Sequence, residues 1–199
     1  MKSYKIDEIG KVVAGGTPST KISSYWDGNI SWITPKDLSN FSVKYITHGE
    51  RNISEKGLNN FSAKLIPKNS VLLSSRAPIG YIAIASKELA TNQGFKNLIC
   101  NESICHYEYF YYWLKLSVDY IIQNSSGSTF KEISASSFKN LEIQLPSLKQ
   151  QYIISHILKK IDKKIETNTK INNNLPYYML NGCKTFSEHT EKGMLKEYH

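Results

Sequence analysis

Two groups of residues could carry chemistry, and each lacks a part that the chemistry requires. The run Gly10-Lys11-Val12-Val13-Ala14-Gly15-Gly16-Thr17 begins like a phosphate-binding loop, but the lysine that must follow its last glycine is missing. Cys100, Cys105 and His106 could ligate a metal, yet four residues separate the cysteines and no second such pair exists. The sequence therefore predicts neither a nucleotide site nor a metal site.

Catalytic side chains show no recognisable arrangement either. None of the five histidines stands in a familiar relation to a nucleophilic serine or cysteine. A Glu-x-Lys pair, which is the metal-binding half of a common nuclease pattern, is absent, and no glycine-rich strand-turn-helix suits a methyl-donor cofactor. We expect a non-catalytic chain without a cofactor of its own.

The charge balance favours a polyanionic partner. Lysine and arginine number 25 against 17 aspartate and glutamate residues, which gives a formal net charge of +8. The excess is +4 in residues 1–148 and +4 in residues 149–199, so it does not form a basic tail, and a binding surface must be built by folding. The arginines are Arg51 and Arg76, which limits bidentate reading of guanine by arginine to two positions.

A β-rich, mixed α/β domain is predicted over residues 1–146. Short β-like runs, separated by turn residues, cover residues 30–34, 43–47, 71–74, 79–85 and 95–100. Apolar residues then recur every three or four positions from Ile104 to Ile121, which predicts an amphipathic helix that packs on the sheet. After a polar stretch at residues 124–129, residues 141–145 alternate like a last strand.

A long helix is predicted to begin at Ser147, an N-cap residue that forms a capping box with Gln150. A heptad pattern gives it a seam at Ile154, Leu158, Ile161, Ile165, Asn168, Asn172 and Leu175. We expect a partner helix to cover this seam, because an exposed lone helix is marginal. The two asparagines either set the register of pairing or mark an ordinary helix that loses its apolar face. Pro176 predicts a kink or an end near Leu175, and residues 147–199 form a second domain, a spacer helix with a C-terminal extension.

Several short segments, in this order and spacing, resemble the specificity subunits of type I restriction-modification systems over residues 5–175. The segments are Gly15-Gly16-Thr17-Pro18-Ser19, Tyr25-Trp26-Asp27-Gly28, Ile30-Ser31-Trp32-Ile33, Asp37-Leu38, Ser74-Ser75-Arg76-Ala77-Pro78-Ile79-Gly80, Thr91-Asn92-Gln93-Gly94-Phe95, Gly127-Ser128-Thr129, and Leu145-Pro146 with Gln150. Each segment is a weak signal alone, and the specificity lies in the set.

This resemblance implies a target-recognition domain that docks in DNA grooves, and a conserved helix that acts as a spacer. Family members usually carry two such units in one chain with antiparallel helices. They scaffold modification subunits, which methylate adenine using S-adenosylmethionine, and restriction subunits, which translocate and cut with ATP and Mg. This chain resembles a half-length form, so we expect two copies to pair through the long helix and read a bipartite site in double-stranded DNA.

Two other classes of function stay open at this point. The chain could be a coiled-coil DNA- or protein-binding adaptor, or an inactive recombination fragment outside active restriction. It could also be an enzyme with an unrecognised nuclease centre.

Candidate DNA contacts follow from residue type and from their place in the resembling segments. Hydroxyls and cations suit phosphate oxygens, and amides suit adenine; the candidates are Thr17, Ser19, Lys36, Arg76, Gln93, Ser128, Thr129 and Lys131. For the hydroxyl residues a structural turn is an equal alternative, for Gln93 a turn is favoured, and for Arg76 an internal ion pair is an equal alternative. Base-reading residues are expected in the loops at residues 36–45 and 48–64, whereas Tyr25 and Trp26 are expected to pack in the core or in turns.

The sequence also bears on location. No stretch reaches the roughly 18 apolar residues that a membrane span needs, and the start of the chain lacks an apolar signal core. Three cysteines do not suit a disulfide framework. We expect a cytoplasmic protein with no membrane contact.

Overall fold

A computed structural model describes the backbone of residues 1–39, 44–61, 64–128 and 131–194, with side chains in these ranges as far as residue 174. The chain divides into two units, residues 1–155 and residues 156–199. The first unit holds the sheets and the short helices, and the second consists of helix over its described residues.

The described strands of the first unit form three sheets. Their bounds are β1 Lys2–Lys5, β2 Gly10–Ala14, β3 Trp26–Ile33, β4 Tyr45–Ile46, β5 Arg51–Ile53, β6 Val71–Ser75, β7 Ile79–Ala85, β8 Ala90–Thr91, β9 Phe95–Cys100 and β10 Glu142–Leu145. The central sheet has the order β2-β9-β6-β7-β4, a second has the order β5-β3-β8, and β1 pairs with β10. Pairing is antiparallel except between β4 and β7 and between β3 and β8.

Two apolar clusters of the core lie within the described residues next to the candidate site. One contains Leu72 and Phe95 of the central sheet together with Ile33 of β3, and the other contains Trp26 and Trp32 of β3. Full burial of each such side chain stabilises the fold by about 1.5–3 kcal/mol. Strands β2, β3 and β6 are anchored in these clusters, and the segments that follow them carry Thr17, Ser19, Lys36 and Arg76.

The predicted strands at residues 71–74, 79–85, 95–100 and 141–145 correspond to β6, β7, β9 and β10, which are all present. The run at residues 30–34 is the second half of β3, which begins earlier, at Trp26. Of the run at residues 43–47, β4 occupies Tyr45–Ile46, and Val43 lies outside the described residues. Sequence reasoning missed β1, β2, β5 and β8, which are short or largely solvent-exposed and so lack a clear apolar pattern.

The helices are α1 Pro35–Ser39, α2 Glu55–Asn59, α3 Tyr107–Leu116, α4 Val118–Gln123, α5 Ala135–Asn140 and α6 Leu148–Met194. The prediction of one continuous amphipathic helix from Ile104 to Ile121 is wrong, because the chain leaves the helical conformation at Ser117, between α3 and α4. Its apolar stripe is correct, since Leu114 and Ile121 are fully buried.

The start of α6 has the predicted capping box. The Ser147 N–H donates to Gln150 Oε1 at 3.1 Å, and the Gln150 N–H donates to Ser147 Oγ at 3.4 Å. The prediction that the helix ends near Leu175 is wrong, because α6 continues to Met194. Pro176 lacks the amide donor for one backbone hydrogen bond of the helix, and a kink there stays a prediction.

The seam of α6 is exposed along its described length. Ile154, Ile161 and Ile165 are 38%, 48% and 59% exposed, and Leu158 is half-buried. Asn168 and Asn172 are exposed as well, and the side chain of Leu175 lies outside the described residues. The apolar face is wider than the predicted seam, since Ile153, Ile157 and Ile171 are also exposed.

Candidate nucleic-acid interface

The turn between β8 and β9 meets the loop that follows β2. Thr17 Oγ1 donates a hydrogen bond to Gln93 Oε1, and the Gly94 N–H donates to Asn92 Oδ1 at 2.9 Å. The expected Asn-Gln-Gly turn is thus formed, with the asparagine side chain bonding to the backbone two residues on. Thr17 and Gln93 are both exposed, and adenine reading by Gln93 stays a prediction.

Residues 15–19 form a loop whose backbone carbonyls accept hydrogen bonds from two tryptophans. The indole N–H of Trp32 donates to the Gly16 carbonyl at 3.0 Å, and that of Trp26 donates to the Ser19 carbonyl at 3.1 Å. At Gly15 an added Cβ would lie 2.0 Å from the Asn92 carbonyl oxygen, a position that only glycine tolerates. The loop is therefore a structural turn, and its exposed hydroxyls at Thr17 and Ser19 stay predicted phosphate ligands.

Arg76 follows β6 and belongs to a three-residue charge cluster. Its Nη1 lies 3.6 Å from Glu132 Oε2, and Lys96 Nζ lies 3.7 Å from Glu132 Oε1. The Arg76 and Glu132 side chains are each 42% exposed, whereas Lys96 is 7% exposed. Burial lowers the pKa of Lys96, and Glu132 acts in the opposite direction. The ion pair foreseen as one role for Arg76 exists, and its guanidinium still reaches solvent.

Sequence reasoning missed Lys96 and Glu132. Lys96 Nζ donates to Ser75 Oγ at 3.1 Å, which ties the cluster to the end of β6. The available signal was a lysine inside the otherwise buried strand β9, because a charge in such a strand needs a partner.

Glu132 and Ile133 lie beside the end of β6, and Ser126 is bonded to Glu132. The Ile133 N–H donates to the Ser75 carbonyl at 3.0 Å, and Ser126 and Glu132 exchange backbone hydrogen bonds at 2.9 and 3.0 Å. Ser128 and Lys131, between these anchors, are exposed. Thr129 lies outside the described residues.

Lys36 lies in α1, directly after β3. Its Nζ is 2.8 Å from Glu50 Oε2, with side chains 79% and 67% exposed, and this hydrogen bond holds the pKa of Lys36 above its ordinary value. Pro35 packs against Gly94, where an added Cβ would meet the proline ring at 3.1 Å. Lys36 therefore lies in the first turn of a helix beside the same turn as Gln93. An ion pair this exposed competes weakly with a phosphate.

The structure thus brings the candidates together at one edge of the central sheet. The end of β2, the end of β6 and the start of β9 meet there, as the pairs Ala14↔Lys96 and Ser74↔Phe95 show. The described candidates at this edge or in the segments bonded to it are Thr17, Ser19, Lys36, Arg76, Gln93, Ser128 and Lys131.

The loops expected to read bases are partly regular structure. Residues 36–45 include part of α1 and the start of β4, and residues 48–64 include β5 and α2; residues 40–43 and 62–63 lie outside the described ranges. Trp26 packs edge-on against Trp32 with ring centres 5.1 Å apart, in agreement with its expected core position. Arg51 lies over the Trp26 ring, with its guanidinium carbon 3.6 Å from the ring centre.

Cys100 and Cys105 are free thiols. The pKa of Cys100 is raised above its ordinary value, mainly by a hydrogen bond with Cys105 and next by burial. In residues 1–39, 44–61, 64–128 and 131–174, no three His, Cys, Asp or Glu side chains are grouped to hold a metal ion. Over the same described part, no helix is long and apolar enough to cross a membrane.

A family model described as type I restriction modification DNA specificity domain matches residues 1–177. The chain belongs to this family. Its sequence is 48% identical over 170 residues to the MjaIX specificity subunit of Methanocaldococcus jannaschii, a match that covers 84% of this chain and 39% of that protein. It is 32% identical over 164 residues to the EcoR124I/EcoR124II specificity subunit of Escherichia coli, covering 79% of this chain and 40% of that protein.

The fold agrees with that of a solved HsdS subunit. The HsdS subunit from Thermoanaerobacter tengcongensis superposes with a TM-score of 0.65 at 19% identity, covering 83% of this chain and 38% of that one. The predicted family and the predicted fold class, a mixed α/β, β-rich domain followed by a long helix, are confirmed. The chain spans about two fifths of the length of the curated relatives it matches.

Proposed function

We propose that this chain is the sequence-specific DNA recognition subunit of a type I restriction-modification complex, and that partner subunits catalyse adenine methylation and restriction. The observation that carries the proposal is the edge of the central sheet, where exposed hydroxyls, amides and cations from separate parts of the chain converge on a domain of the DNA specificity family. Modification and restriction subunits would supply S-adenosylmethionine, ATP and Mg. The chain itself would work in the cytoplasm, without catalysis or cofactor.

The chemistry of this edge suits a duplex backbone. Hydroxyl groups and lysine or arginine side chains contact phosphate oxygens and fix the register of a protein on DNA without reading sequence. Arg76 and Lys131 are solvent-accessible cations beside the end of β6, and Arg76 is paired with the partly exposed carboxylate of Glu132. Sequence would then be read by residues beyond the segments that recur in the family.

The exposed seam of α6 supports a second part of the proposal, pairing of two copies into a two-domain reader. Ile154, Leu158, Ile161 and Ile165 are each partly exposed. Covering the exposed half of four such side chains contributes roughly 3–6 kcal/mol per helix before ordering costs. The seam from residue 154 to residue 175 spans about 33 Å at a rise of 1.5 Å per residue, close to one turn of duplex.

Two-fold pairing has a consequence for the target sequence. Because both halves of a symmetric dimer are identical, an antiparallel homodimer reads two identical half-sites. The methylated sequence is then an interrupted palindrome.

The test is to sequence the methylome of cells that express this chain with its cognate modification subunit. We expect methylated adenines in an interrupted palindrome, and loss of methylation when Ile161 and Ile165 are both replaced by lysine. The matched control is His156→Lys with Thr167→Lys, which adds two positive charges at exposed positions away from the seam. An asymmetric motif would overturn homodimer pairing alone, whereas the absence of any methylated motif would overturn the recognition function and favour an adaptor.

A further inference from the structure

The guanidinium of Arg51 stacks on the aromatic ring of Trp26, which serves as its platform. The guanidinium carbon of Arg51 lies 3.6 Å from the centre of the Trp26 ring, and Arg51 is exposed. Stacking on an aromatic face is a favourable arrangement for a planar cation and restricts its orientation. The guanidinium of Arg51 is therefore exposed to solvent in a restricted orientation.

The platform is itself immobilised. Trp26 is 6% exposed, its indole N–H donates to the Ser19 carbonyl at 3.1 Å, and its ring contacts Trp32 edge-on at an interplanar angle of 84°. Trp32 is fixed in turn by its hydrogen bond to the Gly16 carbonyl. The loop at residues 15–19, which carries the predicted phosphate ligands, is thus directly bonded to the platform of Arg51.

The hydrogen-bonding edge of Arg51 is open. In the part of the chain whose side chains the structure describes, its guanidinium has no hydrogen-bonding or ion-pair partner beyond the stack on Trp26. The neighbouring carboxylate, Glu50, is paired with Lys36. Stacking uses the face of the guanidinium, and its N–H donors lie in the plane. Arg76 differs, since Glu132 occupies part of its edge.

We propose that Arg51 is a base-reading residue that bonds O6 and N7 of a guanine in the major groove while Trp26 holds its plane. This inference rests on the proposed function. A bidentate fork matches the two acceptors of guanine, and an oriented fork loses less freedom on binding than a mobile one. Arg51 also lies between the segments that carry the family resemblance, where the side chain can change with the target, whereas Trp26 lies within one of them.

The experiment uses the complex of this chain with its modification subunit. The motif is first read from the methylome, and binding is then measured to duplexes in which each guanine of one half-site is replaced in turn by adenine. With Arg51→Lys, which keeps the charge and removes the planar fork, we expect the discrimination at one guanine to fall about tenfold or more. Affinity for a duplex without the motif should stay unchanged. Arg51→Gln, which removes the charge as well, should lose the same discrimination.

Lys87→Gln is the matched control for Arg51→Gln, since it removes one exposed charge in the turn after β7, outside the proposed interface, and should keep every guanine preference. Melting temperatures of all variants separate an effect on base reading from an effect on folding. Because Arg51 is exposed, we expect its replacement to leave the fold intact. Unchanged discrimination at every guanine in both Arg51 variants, or a motif without guanine on either strand of the half-site, would overturn the assignment while the recognition function stands. A wild-type complex without sequence preference would overturn both.

Discussion

Replacing Arg76 by alanine tests whether the edge of the central sheet binds the phosphate backbone. We expect weaker binding to all duplexes by the same factor, because a phosphate contact carries no sequence information. Loss of one such contact lowers the slope of log affinity against log salt by about 0.9, which is roughly a 3.5-fold effect over a fourfold change in salt concentration. Affinities for the cognate and an unrelated duplex, each at 50 and 200 mM salt, measure this slope.

The same substitution breaks the contact between Arg76 Nη1 and Glu132 at 3.6 Å. Both side chains are 42% exposed, so this ion pair contributes about 0–1 kcal/mol and its loss lowers the melting temperature by at most about 4 °C. Lys87→Ala is the matched control, since it removes an exposed charge in the turn after β7, at the opposite end of the sheet. An unchanged affinity at both salt concentrations with a lowered melting temperature would refute a DNA role for Arg76.

Two further predictions concern stability. Gln151→Ala should destabilise the fold by about 1–3 kcal/mol, because the buried amide accepts from the His106 N–H at 2.8 Å and donates to the Ile104 and Pro146 carbonyls at 3.0 Å. Urea unfolding measures this loss, with Gln144→Ala at an exposed position as the control. Equal stabilities of the two variants would contradict the prediction. The pKa of Lys96 is lowered in the fold, so the folded chain binds fewer protons than the unfolded chain as pH rises towards 10.5. The free-energy cost of burying the charged Lys96 side chain is therefore relieved at higher pH. The stability of Lys96→Met relative to the parent protein should therefore decrease between pH 8 and pH 10 in urea unfolding, and a constant difference would exclude this role for Lys96.

Local sequence patterns predicted the regular elements that have a strong apolar signal of their own. Strands β6 and β7 are buried along most of their length, so their apolar runs reveal them. The N-terminus of α6 was predictable to the residue because Ser147 and Gln150 bond to each other's backbone. The end of α6 was not, since the effect of one proline depends on the turns around it.

Tertiary pairing decided what local patterns left open. Ser117 interrupts an apolar stripe that is continuous in sequence, because α3 and α4 both pack on β7 as separate helices. The partners Lys96 and Glu132 are 36 positions apart in the sequence and meet only because Glu132 and Ile133 bond to the end of β6. No periodicity within either segment encodes that contact.

The sequence by itself determined the family, the fold class and the residue types available for DNA, because short-range spacing and composition carry this information. Only the tertiary structure decided which of these residues share a surface. Thr17, Gln93 and Arg76 converge because β2, β9 and β6 are neighbours in one sheet, and Arg51 reaches Trp26 because β5 pairs with β3. Strand order arises from the burial of a common core, a long-range property that no local stretch of the chain contains.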